Sequence, residues 1–127
     1  MEKVSKKNRT ITFHSNKNNQ VMTVHTREAR IYAKVLENDQ EVQSYETNIQ
    51  WSRERYMFVN KIRIRKMHFE SDWSSDFKVY YKNGTIAIRE VLSETALNKD
   101  ATIEKLELSR RYWHHAEHIT NWKIILI

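Results

Sequence analysis

The chain contains no cysteine, which excludes disulfide scaffolds, thiolate zinc sites and cysteine nucleophiles together. Proline is also absent, and glycine occurs once, at Gly84. The usual loop punctuation is therefore missing, and element boundaries must be read from hydrophobic period and capping residues. No segment approaches the ~20 consecutive apolar residues of a membrane-spanning helix. The opening MEKVSKKNRT lacks the apolar core of a signal peptide. These absences set the expectation of a soluble, cytoplasmic protein with no membrane partner. No repeat, low-complexity stretch or linker divides the 127 residues, so they read as one domain, large enough to bury a core unaided.

Positive charge and aromatic residues are plentiful. Lys and Arg outnumber Asp and Glu by 22 to 16, a formal charge of +6 that favours an anionic partner. With 39% hydrophobic and 11% aromatic residues, the chain is too apolar for a disordered basic tail. Lys3, Lys6, Lys7, Arg9 and Lys17 load the N-terminal part, and Lys61, Arg63, Arg65 and Lys66 form a second cluster. In Lys61-Ile62-Arg63-Ile64-Arg65 basic and apolar residues alternate with the period of a half-buried strand. Such a strand presents a basic row that can follow DNA phosphates, or serves as a charged edge that resists pairing with other chains.

The pattern predicts strands at 9–14 and 20–25, then a helix capped by Thr26 that carries Glu28 in its first turn and ends near Asn38. Ala29, Ile31, Tyr32, Val35 and Leu36 form its apolar spacing. Strands are expected at 41–47 and over 55–69, the latter as one long strand or two short ones. Asn83-Gly84 between 76–81 and 86–91 signals a β-hairpin. A second helix, capped by Asp100 or Thr102, is expected to run to about His118. Its stripe is Ile103, Leu106, Arg110 and Trp113, with Leu108 and Tyr112 beside it, and Glu107 and Arg111 form an i, i+4 pair. Trp122–Ile127 reads as a strand buried on both faces. Helices interleaved with strands give an α/β class.

Candidate chemistry centres on the hairpin. If Lys82-Asn83-Gly84 form a three-residue loop, Asp76 pairs with Glu90 and the carboxylates share a face. If Asn83-Gly84 alone form the turn, they point to opposite faces. The apolar alternation favours the shorter loop, and a bend or bulge reconciles the two. Paired carboxylates repel unless a divalent cation such as Mg²⁺ lies between them; otherwise they are two exposed strand-end charges. Glu28 is a third candidate, a metal ligand or a residue that complements the helix dipole. His114 and His118 have zinc-chelating helical spacing but no third ligand.

The stretch Ser75-Asp76-Phe77-Lys78-Val79, then Asn83-Gly84, then Arg89-Glu90-Val91, resembles the core of the PD-(D/E)xK nuclease fold. The run Ile103–Trp113, followed by Trp122-Lys123-Ile124-Ile125, is similar to the N-terminal catalytic domain of TnsA, the endonuclease subunit of heteromeric transposases. The resemblance implies a restriction-endonuclease-like fold, a central mixed β-sheet with a hairpin core flanked by helices. It also implies Mg²⁺- or Mn²⁺-dependent cleavage of DNA at the 5′ ends of a transposon, beside a TnsB-like transposase and a TnsC-like ATPase. Asp76 and Glu90 match the family's metal-binding acids, with Glu28 as a further catalytic ligand. Lys61, Arg63, Arg65 and Lys66 are the candidate DNA contacts. Two positions depart from the pattern: Leu92 stands where the motif lysine is expected, and Ala29 where the helix glutamate is expected. Lys99 and Lys78 are candidates to replace the lysine. The family's C-terminal helical domain has no counterpart here. A catalytically silent DNA- or transposase-binding subunit is the alternative, and a generic basic nucleic-acid-binding domain is a third reading.

Overall fold

The computed structural model describes residues 10–70, 72–114, 116 and 118–127. Lys3, Lys6, Lys7 and Arg9 of the N-terminal basic cluster lie outside them. Strands β1 (Ile11–Ser15) and β2 (Gln20–Val24) form a two-stranded antiparallel sheet. Thr26 then caps helix α1 (Arg27–Asn38), its hydroxyl accepting the Ala29 N–H at 3.0 Å. Ala29, Tyr32, Ala33 and Leu36 recur every three to four residues and form its buried stripe, while Val35 faces outward. Glu37 ties this unit together by accepting hydrogen bonds from Ser15, Tyr45 and the Lys17 amide. Burial opposes ionisation of Glu37, but these donors outweigh it and hold the carboxyl below its ordinary range.

The second sheet has four strands in the order β3 (Val42–Gln50), β4 (Ser74–Tyr81), β5 (Ile86–Leu92) and β6 (Asn121–Leu126). β3, β4 and β5 are antiparallel, whereas β6 runs parallel to β5 after a crossover through helix α3 (Asp100–His114). The sheet is covered on both faces. Phe77, Val79 and Val91 pack with Tyr32, Leu36 and Tyr45 in the core on the α1 side. Ile88 packs with Leu108, Tyr112, Trp113 and Trp51 on the α3 side. Residues 87–91 of β5 are consequently all buried. The chain is a mixed α/β protein with helices on both faces of a mixed sheet.

Five expectations are corrected. Residues 55–69 are not strand: a single helical turn α2 (Arg53–Tyr56) is followed by a loop and a 3₁₀ turn (Lys66–Glu70). The alternation in Lys61–Arg65 belongs to that loop, where Ile64 is buried, Ile62 is exposed, and Arg63 adopts φ +66°. β6 is an edge strand rather than one buried on both faces, and Ile124 and Leu126 are exposed. α3 ends at His114, so His118 lies beyond it and shares no helical face with His114. The buried face of α3 carries Leu106, Leu108, Ser109, Tyr112 and Trp113, whereas Ile103 and Arg110 of the expected stripe are exposed. The Glu107–Arg111 pair forms as expected, at 2.8 Å. Among the described residues, no helix is long and apolar enough to cross a membrane.

Candidate active site

Strand register decides whether the hairpin acids meet. The ladder pairs Tyr80 with Ile86, Val79 with Ala87, Lys78 with Ile88 and Phe77 with Arg89, so the next position sets Asp76 against Glu90. This is the longer, three-residue loop, not the shorter turn that the apolar alternation favours. Tyr81 N–H bonds Thr85 C=O, Gly84 N–H bonds Tyr81 C=O, and Gly84 adopts φ +91°. A left-handed residue at that position closes a three-residue hairpin, and glycine adopts it without a Cβ penalty.

The conflict with the apolar pattern is resolved by a kink. Thr47 pairs with Phe77 and Ile49 with Ser75, leaving Asn48 at φ +55° opposite Asp76. Alternation breaks there. Phe77 packs on the α1 side, while the Ser75 hydroxyl bonds Trp113 of α3. Asp76 thus marks the point where β4 changes face, at the end of its pairing with β5.

Glu90 is 2% exposed and held at both oxygens. Its Oε2 accepts from Ser75 Oγ at 2.6 Å and Ser109 Oγ at 2.5 Å, and its Oε1 accepts the Asp76 amide at 3.3 Å. Three indoles set the direction of the serine hydroxyls. Trp51 and Trp113 donate to Ser75 Oγ at 2.9 and 2.8 Å, and Trp122 donates to Ser109 Oγ at 2.9 Å. An indole N–H can only donate, so both acceptor positions of Ser75 are filled and its proton must go to Glu90. Oε2 is therefore committed to the serines. Asp76 Oδ2 is likewise committed, accepting the Val91 amide at 2.7 Å. Among the described residues Asp76 Oδ1 carries no hydrogen bond, and Glu90 Oε1 carries only the long one from the Asp76 amide, so these two oxygens keep lone pairs for a ligand.

Burial, reinforced by the nearby Asp76 charge, pushes the Glu90 carboxyl up to about 7. Burial also raises Asp76, against the Val91 hydrogen bond and the positive fields of Lys105 and His25. Lys105, on α3, thus acts on both acids, and its ammonium lies 5.4 Å from the Trp73 ring centroid. Lys99 is exposed, and Lys78 Nζ lies 3.3 Å from His118 Nε2. Sequence reading missed Lys105, Ser75 and Ser109. The available signal was Ser109, a polar residue on the core face of an amphipathic helix.

Glu28 stands apart. It is half-buried in the first turn of α1 and makes no hydrogen bond or ion pair with either acid. Among the described residues, no three His, Asp or Glu side chains converge on one point. The pair still suits a small hard cation, which commonly takes one or two carboxylates and completes its shell with water and substrate oxygens.

The four basic residues divide by role. Lys61 Nζ donates to the carbonyls of Met57 and Val59 at 3.0 and 3.1 Å, and Arg65 Nε pairs with Glu104 at 2.8 Å. Arg63 and Lys66 are exposed and make no ion pair among the described residues. No protein-family model and no curated protein sequence matches this chain.

Proposed function

We infer that the protein is a metal-dependent DNA endonuclease subunit of the TnsA type, working with a TnsB-like transposase on transposon ends. The observation that carries this reading is the convergence of Asp76 and Glu90, each with one oxygen firmly committed to the protein, while Asp76 Oδ1 and the weakly held Glu90 Oε1 keep lone pairs for a ligand. A restriction-endonuclease-like fold is part of the same reading, supported by the hairpin, the kink at Asp76 and the parallel β6. Asp76 Oδ1 and Glu90 Oε1 would hold Mg²⁺ or Mn²⁺. The ion supplies Lewis-acid polarisation of a phosphodiester and activation of water.

The chain's own residues do the rest. The serine hydroxyls fix the Glu90 carboxyl, so its remaining oxygen needs little reorganisation on binding. Any proton on Glu90 must sit on Oε1, facing Asp76, because Oε2 already accepts two hydroxyls. That proton would have to leave Oε1 for the oxygen to hold a cation. Lys105 supplies the positive charge that Leu92 cannot, and would orient the attacking water or a phosphate oxygen.

Supercoiled plasmid should be nicked with Mg²⁺ or Mn²⁺, and Asp76→Ala should abolish nicking. Nicking that survives Asp76→Ala removes the site from the account. The second reading, a catalytically silent DNA- or transposase-binding subunit, is favoured by Leu92 and by the lack, among the described residues, of a third acid converging with the pair. It predicts DNA retention that weakens steeply with salt and is indifferent to metal.

A further inference from the structure

The loop between α2 and the 3₁₀ turn displays large apolar side chains to solvent: Met57, Phe58 and Ile62 are 72%, 88% and 67% exposed. Apolar residues scattered singly on a surface are ordinary, but here three share one short, firmly held loop. Val59 and Ile64 anchor it in the α3-side core. The Lys61 ammonium caps the carbonyls of Met57 and Val59, and Arg111 Nη1 donates to the carbonyls of Asn60 and Ile62 at 2.8 and 3.0 Å. The exposed side chains are therefore carried on a pre-organised backbone.

Charge indicates what they meet. Residues 53–67 contain six basic residues and one acid, Glu54, so they carry most of the chain's net positive charge. Arg53 pairs with Asp72 and Arg65 with Glu104, while the Arg55 guanidinium lies 4.5 Å from the Tyr112 ring centroid. Among the described residues Arg63 and Lys66 make no ion pair and face solvent. Arg63 is also held at φ +66°, a left-handed backbone that costs a non-glycine residue about 1 kcal/mol or more. A surface this basic disfavours a second copy of the same +6 chain. It suits a partner that combines phosphates with stacked apolar bases.

The loop is also fastened to α3, the helix that carries Lys105. Glu104 accepts the Arg65 amide at 3.0 Å, and the next residue, Lys105, is the cation that acts on Asp76 and Glu90.

We propose that this loop is a DNA-insertion element, with Phe58 and Met57 wedging against or between bases while Arg63 and Lys66 sit on the flanking phosphates. This inference rests on the nuclease reading for its partner. Apolar wedges of this kind unstack a base step and bend the duplex, which exposes backbone to a neighbouring site.

The test is binding of the full chain to a labelled duplex in EDTA, which separates binding from cleavage. Phe58→Ala is expected to weaken binding about tenfold while leaving the slope of log affinity against log salt unchanged. Arg63→Gly removes the charge without adding backbone strain, and a melting temperature equal to that of the wild type shows that the loop still folds. This variant and Lys66→Ala should each lower the salt slope by about one. A duplex carrying 2-aminopurine should brighten with the wild-type protein and not with Phe58→Ala. Equal affinity and equal brightening for wild type and Phe58→Ala would overturn the proposal. So would Phe58-dependent binding to phosphatidylserine vesicles without binding to the duplex. If Phe58-dependent DNA binding is found but Mg²⁺ supports no nicking, the inference stands and the nuclease reading falls. Nicking without any role for Phe58 gives the converse.

Discussion

The Ser75 hydroxyl donates to Glu90 Oε2 because Trp51 and Trp113 occupy both of its acceptor positions. Removing that hydroxyl strands two buried indole N–H groups and deprives a buried carboxyl of a donor. Each unsatisfied buried group costs roughly 1–3 kcal/mol. Ser75→Ala should therefore lose about 2–5 kcal/mol in urea denaturation. Ser109→Ala also deprives Glu90 of a donor but strands a single, half-buried indole, that of Trp122, and should lose less. Equal losses would contradict the unequal sharing of the three indoles.

Stability should fall as pH rises through the titration of Glu90. Its carboxyl moves from an ordinary value of 4.5 to about 7 on folding, mainly through burial and then through Asp76. Between those limits the folded state binds more protons than the unfolded state, so unfolding free energy decreases with pH. The loss is on the order of 3 kcal/mol, complete above about pH 7 and absent below about pH 4.5. Glu90→Gln keeps an acceptor for both serines and removes the charge. Its melting temperature should vary less across this window than that of the wild type and should exceed it at pH 8.

Mg²⁺ should restore what the charge removes. At pH 8, millimolar Mg²⁺ should raise the wild-type melting temperature, since a ligand bound only by the folded state stabilises it by mass action. Asp76→Asn and Glu90→Gln should show no such rise. A rise of equal size in both variants would locate the ion elsewhere.

Lys105→Ala should reduce nicking far more than DNA retention. The substitution removes the positive charge that favours ionisation of both acids, so the pH at which nicking reaches half its maximum should move upward. An unchanged pH profile would assign Lys105 to packing against Trp73 alone.

Gly84→Ala should cost about 1 kcal/mol through backbone strain, not through collision. Nothing lies within 4 Å of the position a Cβ would take, but φ is +91°. Chemical denaturation measures the loss. A neutral result would mean that the turn accommodates another conformation.

Much of this was legible from local chemistry. Thr26 announced the start of α1, Asn83-Gly84 announced the hairpin, and Glu107 with Arg111 marked a helical face. The register was harder, because alternation counts side chains and cannot register the kink at Asn48 that moves Ser75 and Phe77 to opposite faces. The basic segment misled for a related reason. Ile62 and Ile64 alternate with cations, yet one is exposed and the other anchors a loop. The run Trp122–Ile127 looks fully buried because apolar content reports affinity for a core, not the number of neighbours a strand acquires. Lys105 escaped notice because its relation to the acids is set by how α3 crosses the sheet.

The indole arrangement also equips the protein with its own optical gauge. Three of its four tryptophans end on the serines that grip Glu90, and the fourth, Trp73, lies under the Lys105 ammonium. Loading or neutralising that carboxyl changes the electric field at the three indoles that end on its serines. Intrinsic emission can therefore follow occupancy of the site in real time, with no label attached.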